Sequence, residues 1–188
     1  MTTSKKGLLY VISGPSGVGK GTICKEIIKR NPEISISISA TTRKMRDEDI
    51  EGVTYYFKTK EEFEEMIKDS SLLEWTNYNG NYYGTPIAPV KEALCKGKDF
   101  ILEIEVEGAL NVKKIFPDAV LIFVDAPSFS ELEKRLIGRG SETDETIKAR
   151  INRAKEELLL KDKYDYVVVN NTLETAVSEI ENIIVKGE

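Results

Sequence analysis

The chain has 188 residues, 40% hydrophobic and 31% charged, so it is long enough for one domain with a buried core. Its net charge of −5 argues against a nucleic-acid partner, because proteins that bind nucleic acids neutralise many phosphates with clustered Lys and Arg. It contains no histidine, which excludes mechanisms that use imidazole as a base or a metal ligand.

The hydrophobic pattern predicts alternating strands and helices. In chain order we expect a strand over 8–13, a helix over 20–31, a strand over 100–105, a helix over 108–116, a strand over 119–124, helices over 128–138 and 143–161, a strand over 166–169 and a helix over 173–186. This order is typical of an α/β fold with a parallel sheet flanked by helices. The apolar runs 120–124 and 166–169 predict strands buried on both faces.

Two segments interrupt this alternation. Residues 35–85 alternate Ser with Ile at first and later contain Asn79-Gly80-Asn81, a hairpin-like turn, which predicts a small mixed insertion. Residues 139–161 have a charged, helical pattern and form a second insertion. The core of a single domain would then comprise residues 1–34, 86–138 and 162–188.

A glycine-rich turn follows the first strand and matches the G-x-x-x-x-G-K spacing of a phosphate-binding P-loop. Glycines let successive backbone N–H groups converge on a phosphate, and the next helix adds its positive N-terminal end. Lys20 would reach the β- and γ-phosphates of a nucleotide; a turn without a ligand is the alternative. The candidate ATP-binding residues are Gly14, Pro15, Ser16, Gly17, Val18, Gly19, Lys20, Gly21 and Thr22.

Phosphoryl transfer is compatible with the missing histidine, because positioning and charge stabilisation do most of its work. Glu103, Glu105 and Glu107 alternate, which predicts that they share one face of an extended chain. So many like charges beside a phosphate site indicate Mg²⁺. Gly21 replaces the usual hydroxyl ligand, so we expect Thr22 and Glu105 near a magnesium ion held mainly by phosphates and water.

Three motifs in the first insertion give the chain a specific resemblance. T-T-R-x-x-R begins at Thr41, E-W at Glu74 and G-N-Y-Y-G-T at Gly80, and together with the P-loop they resemble guanylate kinases, which transfer the γ-phosphate of ATP to GMP. The resemblance extends to Asn170 and implies a P-loop NTPase fold with a GMP-binding insertion and a helical lid. It further implies that Ser39, Thr85 and Glu103 contact GMP and that Asn170 lies near the adenine of ATP.

The residues of these motifs suit a nucleoside monophosphate. Arg43 and Arg46, with the hydroxyls of Tyr55 and Tyr83, would surround one dianionic phosphate; a solvated pair of charges is the alternative for the two arginines. Glu74 lies among apolar neighbours, where a carboxylate is costly without a partner. Guanine offers two adjacent donors to such a carboxylate, whereas adenine presents an acceptor at N1. For Ser39, an ordinary solvated position on a helix or strand is the alternative.

Arginines in the second half of the chain form two helical pairs. Arg135 and Arg139 are four residues apart, and Arg150 and Arg153 are three apart, so each pair shares a helix face. A closing lid would bring this positive charge to the transferred group and exclude water. The resemblance implies catalytic roles for Lys20, Arg135, Arg139 and Arg150, while Arg153 is as readily a solvated charge.

The sequence departs from the family pattern at several positions. Met45 replaces a usual Pro, Glu48 a usual Gly, Glu105 a usual Asp and Glu107 a usual Gln. A non-catalytic guanylate-kinase-like module that binds phosphopeptides is the main alternative function, but such modules lose the P-loop lysine and the lid arginines that are present here. A P-loop kinase for another small phosphate ester is a lesser alternative, which a base-reading Glu74 disfavours.

Partners and location follow from the same observations. We expect ATP and GMP as small-molecule substrates. The net negative charge disfavours a nucleic acid as a partner, and the lack of an apolar stretch of 18 residues disfavours a membrane. Cys24 and Cys95 lack metal-ligand spacing, so we expect reduced thiols in a cytoplasmic protein.

Overall fold

The computed structural model describes residues 6–78, 80–137 and 144–187, which form two β-sheets and the helices that cover them. In chain order the elements are β1 (Leu9–Ser13), α1 (Lys20–Arg30), β2 (Ser35–Ile36), β3 (Ala40–Thr41), β4 (Tyr56–Phe57), α2 (Lys60–Lys68), β5 (Leu72–Tyr78), β6 (Asn81–Pro86), α3 (Ile87–Cys95), β7 (Phe100–Glu103), α4 (Val106–Ile115), β8 (Val120–Asp125), α5 (Phe129–Ile137), α6 (Asp144–Leu158), β9 (Tyr166–Val169) and α7 (Leu173–Lys186).

The larger sheet is parallel, with the strand order β2-β7-β1-β8-β9. The central strand β1 is buried on both faces, and its alternating side chains divide the core in two. Tyr10 and Ile12 pack in a cluster with residues of α1, α5 and α7. Leu9 and Val11 pack in a second cluster with residues of α3 and α4. Helices therefore cover both faces, as the alternation of elements predicts.

Parallel order brings the carboxyl ends of the core strands to one edge of the sheet. The P-loop follows β1, Glu103 ends β7, Asp125 ends β8 and Asn170 follows β9. Ligands of open α/β sheets bind outside this edge. The fold thus collects the P-loop and several candidate site residues in one place.

The smaller sheet has the order β4-β3-β6-β5 and is mixed. Strand β3 pairs in parallel with β4 and antiparallel with β6, while β5 and β6 form an antiparallel hairpin in which Tyr78 pairs with Asn81. Helix α2 packs on this sheet through Phe63, which is buried and stacks on Tyr82 with ring centroids 5.2 Å apart. The mixed strands lie in the predicted insertion, whereas β2 belongs to the parallel sheet.

Strand β9 differs from its prediction. Its bounds agree, but Tyr166, Val167 and Val169 are 44%, 41% and 44% exposed, and only Val168 is buried. The strand lies at the edge of the sheet, beside β8 alone, and the second apolar cluster contains none of its residues. Burial on both faces was therefore a wrong prediction for this strand, because an apolar run does not reveal its place in the strand order.

No helix within the described ranges is both long enough and apolar enough to cross a membrane.

The edge position of β9 can be tested by removing methyl groups on each face. Val168→Ala should lower the free energy of unfolding by about 2 kcal/mol, because it removes buried methyl groups and leaves a cavity. Val169→Ala is the matched control and should change it by less than about 0.5 kcal/mol, because its side chain is already solvated. Urea unfolding of both variants measures the difference; equal losses would contradict the edge assignment.

Candidate active site

The P-loop encloses the side chain of Lys20. Lys20 Nζ donates hydrogen bonds to the carbonyl oxygens of Gly14 at 2.7 Å and Pro15 at 3.3 Å. The Val18 N–H donates to the Pro15 carbonyl at 3.3 Å and tightens the turn. The ammonium group is therefore held inside the loop that the sequence predicts to bind phosphate. Thr22 lies exposed in the first turn of α1.

An acidic side chain at the end of β7 lies beside this loop, and a second one follows at the start of α4. The Glu103 carboxylate lies next to Gly21, where a Cβ would be 3.3 Å from its Oε1. Burial raises the pKa of Glu103; the Lys20 ammonium opposes this rise, and the charge of Glu105 adds to it. Glu105 is the residue before α4.

Glu107 does not belong to this acidic group. Strand β7 ends at Glu103 rather than at the predicted residue 105, and α4 begins at Val106, so Glu107 lies exposed in the first helical turn. The prediction that Glu103, Glu105 and Glu107 share one face of an extended chain was therefore wrong. The local helix start sets the direction of the last side chain, and the alternating charges in the sequence gave no sign of it.

Helix α6 approaches the P-loop through Arg150. Arg150 Nη2 donates a hydrogen bond to Ser16 Oγ, which joins the predicted lid to the glycine-rich turn. The same helix carries Glu157, which is 7% exposed and lies 3.0 Å from Arg153 Nε. Burial raises the pKa of Glu157, and the charge of Glu105 raises it further, which indicates that α6 faces the acidic side of the site. Sequence reasoning missed Glu157, although its spacing of four from Arg153 signals a helical ion pair.

Arg135 and Asn170 meet near the edge of the parallel sheet. Arg135 Nε lies 3.3 Å from Glu131 Oε1, and its Nη2 lies 3.5 Å from the Asn170 carbonyl oxygen. The side-chain amide of Asn170 donates to the Val18 carbonyl at 2.7 Å. Arg139, predicted to act with them, lies outside the described residues, as do residues 138–143 as a whole.

A second group of residues lies on the mixed sheet. The Arg43 guanidinium stacks over the Tyr55 ring at 5.3 Å, and the rings of Tyr55 and Tyr83 are 6.0 Å apart. Arg43 Nη2 also lies 2.9 Å from Asp49 Oδ2. The structure thus brings together three of the four predicted phosphate ligands.

Asp49 organises the loop that carries both arginines. Its carboxylate accepts the Arg46 backbone N–H at 2.8 Å and pairs with the Arg43 side chain. These contacts, the Arg46 N–H above all, hold the pKa of Asp49 below its usual range. The Arg46 side chain is exposed. Sequence reasoning missed Asp49, whose only signal is an acidic residue shortly after two arginines.

Glu74 is buried on β5 and has a defined partner. The Thr85 hydroxyl donates to Glu74 Oε1 at 2.7 Å. A Cβ at Gly108 would lie 2.9 Å from Glu74 Oε2, so α4 packs closely against the carboxylate at this glycine. Burial raises the pKa of Glu74, and the Thr85 hydrogen bond opposes the rise. Ser39, the residue before β3, is half-buried, and its carbonyl accepts the Tyr56 N–H at 2.9 Å.

The family model for guanylate kinase matches residues 6–187. The chain belongs to the guanylate kinase family. Guanylate kinases from Halalkalibacterium halodurans and Bacillus cereus are each 54% identical to it, covering 96% and 97% of this chain and 88% and 89% of theirs. The crystal structure of guanylate kinase from Anaplasma phagocytophilum is similar, with a TM-score of 0.80 at 30% identity, covering 97% of this chain and 86% of that one.

Membership of the guanylate kinase family confirms the predicted fold and class of enzyme. The parallel sheet flanked by helices is the P-loop NTPase fold of the family, and the chain is an ATP:GMP phosphotransferase. Nothing in these comparisons favours the phosphopeptide-binding alternative.

The buried carboxylate makes a prediction about stability. Because burial raises the pKa of Glu74 in the folded state, the folded protein loses stability as the pH rises through that raised pKa. Glu74→Gln removes the charge, so its free energy of unfolding should exceed that of the wild type at pH 7. The excess should shrink below about pH 4.3, where an unfolded glutamate is also protonated.

Urea unfolding at several pH values measures this difference. Glu92→Gln is the control: Glu92 is exposed, and Lys96 lowers the pKa of its carboxyl. Its removal should not stabilise the protein at pH 7. If Glu74→Gln exceeds the wild type in free energy of unfolding by the same amount at both ends of the pH range, the raised pKa of Glu74 is contradicted.

Proposed function

We propose that ATP binds the P-loop and GMP binds the mixed sheet, and that the γ-phosphate passes between them along the carboxyl edge of the parallel sheet. The single observation that carries the proposal is the Glu74–Thr85 pair. A carboxylate buried on a sheet with one hydroxyl donor at 2.7 Å still has lone pairs to satisfy, and a substrate base with two donors satisfies them.

Guanine recognition follows from the direction of these hydrogen bonds. Guanine N1–H and its 2-amino group donate side by side, so both donors reach one carboxylate. Thr85 fixes the orientation of Glu74, and Ser39 completes the base contacts. Glu103, between this sheet and the P-loop, contacts the GMP sugar or base. Adenine instead presents the acceptor N1 to Glu74, so two hydrogen-bond acceptors would face each other without a proton between them.

The GMP phosphate binds the arginine and tyrosine group. Arg43, held over Tyr55, offers its fork of N–H donors, and the Tyr55 and Tyr83 hydroxyls add two more donors. Arg46 is exposed at the rim and joins them when the phosphate enters. An ionised oxygen of the GMP phosphate attacks the γ-phosphorus of ATP directly, and the bond from that phosphorus to the β–γ bridging oxygen breaks, which releases ADP. The reaction therefore needs no strong protein base.

Lysine and arginine charges stabilise the transferred group on the ATP side. Lys20 exchanges its two carbonyl acceptors for phosphate oxygens, which are better partners because they are charged. Arg150 reaches the loop through Ser16, and Arg135 lies beside Asn170. We assign these three residues and Arg139 to the developing charge, with residues 139–161 as a lid that excludes water.

Magnesium fits the oxygen donors at this edge of the sheet. Among the described residues no group of three His, Cys, Asp or Glu side chains could hold a metal ion by itself. The ion would therefore be held mainly by phosphates and water, with Thr22 and Glu105 as its protein oxygens. When bound, it neutralises charge on the ATP phosphates. We also propose a cytoplasmic location, which the two free cysteines support.

The proposal is tested by separating base recognition from phosphate binding. Glu74→Gln should lower kcat/KM for GMP by on the order of 10²-fold, because its amide N–H₂ opposes a guanine donor. The same amide donates to adenine N1, so kcat/KM for AMP should stay level or rise, and the GMP:AMP ratio should fall. A coupled ADP-release assay measures both substrates.

The control variant is Glu92→Gln, which should leave both substrates unchanged. Arg43→Ala provides the converse measurement, since loss of a phosphate ligand should weaken GMP and AMP alike. If the ratio of kcat/KM for GMP to that for AMP is unchanged in Glu74→Gln, Glu74 does not recognise the base and has only a structural role.

A further inference from the structure

Asn170 connects three parts of the molecule at the edge of the parallel sheet. Its side-chain Nδ2 donates to the Val18 carbonyl at 2.7 Å, its backbone N–H donates to the Asp125 carbonyl at 2.8 Å, and its own carbonyl lies 3.5 Å from Arg135 Nη2. Asn170, which directly follows β9, therefore contacts the P-loop, the end of β8 and an arginine of α5.

The contact with the P-loop lies beside a residue with a left-handed backbone. Gly19 follows Val18 and has φ +100, a backbone conformation that residues other than glycine rarely adopt. A Cβ at Gly19 would lie 2.7 Å from Asn170 Nδ2, so the amide lies directly against the turn. Val18 itself is fully buried in the apolar cluster under α5 and α7. The hydrogen bond fixes the peptide that leads into Lys20.

We propose that Asn170 is a positioning residue for the P-loop. The hydrogen bond from the Asn170 amide holds the Val18 carbonyl away from the phosphate side. The N–H groups of the following residues therefore stay directed toward the phosphates. The same residue aligns Arg135 through its backbone carbonyl, so the loop and this arginine share one support. The inference rests on the P-loop as the ATP site but is independent of how GMP binds.

This role differs in its consequences from a contact with adenine. An adenine contact acts only on ligands that carry the base, whereas a positioned P-loop acts on any polyphosphate. The two roles also respond oppositely to a carboxylate. Asn170→Asp keeps the shape and can accept the adenine amino group, but an ionised carboxylate repels the Val18 carbonyl.

The test measures dissociation constants of ATP and of inorganic tripolyphosphate, which has no base, by titration calorimetry with magnesium. Asn170→Ala should weaken both ligands by about threefold to tenfold, the cost of one neutral hydrogen bond. Asn170→Asp should weaken both more than Asn170→Ala does. Its affinity should recover as the pH falls, because a protonated carboxyl again donates to Val18. Asn171→Ala, at the exposed next residue, is the control and should match the wild type.

Several outcomes would overturn the proposal. They are weaker ATP binding with unchanged tripolyphosphate binding, Asn170→Asp binding as well as the wild type, or equal losses in both variants at every pH. Urea unfolding of each variant shows whether the fold is retained, and the pH recovery is a property that simple destabilisation would not produce. If wild-type protein fails to bind tripolyphosphate, the P-loop assignment falls and the role of Asn170 falls with it, a pattern distinct from loss in the variants alone.

Discussion

ATP and GMP are both polyanions, and they have to meet in the active site of a protein that carries a net charge of −5. The structure meets this constraint by placing its cations locally. Lys20 lies inside the P-loop, Arg150 is bonded to Ser16 of the same loop, and Arg43 is held over Tyr55 on the mixed sheet. Carboxylates such as Asp49 and Glu157 keep the arginines beside them in place before substrates arrive. Preorganised charges of this kind cost no rearrangement at the moment of transfer.

The two sheets divide the work, and Glu74 lies where they meet. Strand β5 carries this carboxylate, and α4 of the parallel core packs against it at Gly108. In the proposed function, a base bound by Glu74 would lie next to the segment that carries Glu105 and Glu103, the latter close to Lys20. Burial makes the carboxylate costly in the free protein, and in the proposed function that cost is the reason Glu74 would discriminate between bases.

The sequence predicts the parts of this site that short spacing determines. The P-loop, the hairpin at Gly80 and most element bounds follow from local patterns, and the structure brings together Arg43 with Tyr55 and Tyr83. Contacts across the fold could not be predicted in this way. The exposure of Val169 depends on strand order, the isolation of Glu107 on where α4 starts, and the burial of Glu157 on how α6 packs. Only the folded chain shows that Asn170 contacts the P-loop.

The central claim is that the P-loop and the mixed sheet form two halves of one site. Affinity for a bisubstrate compound, adenosine and guanosine joined through five phosphates, tests it most directly. Because one compound fills both halves, its dissociation constant measured by calorimetry should be on the order of 10²-fold lower than that of ATP or GMP. The compound with two adenosines should lack most of this gain. A guanosine compound that binds no more tightly than ATP would contradict the account.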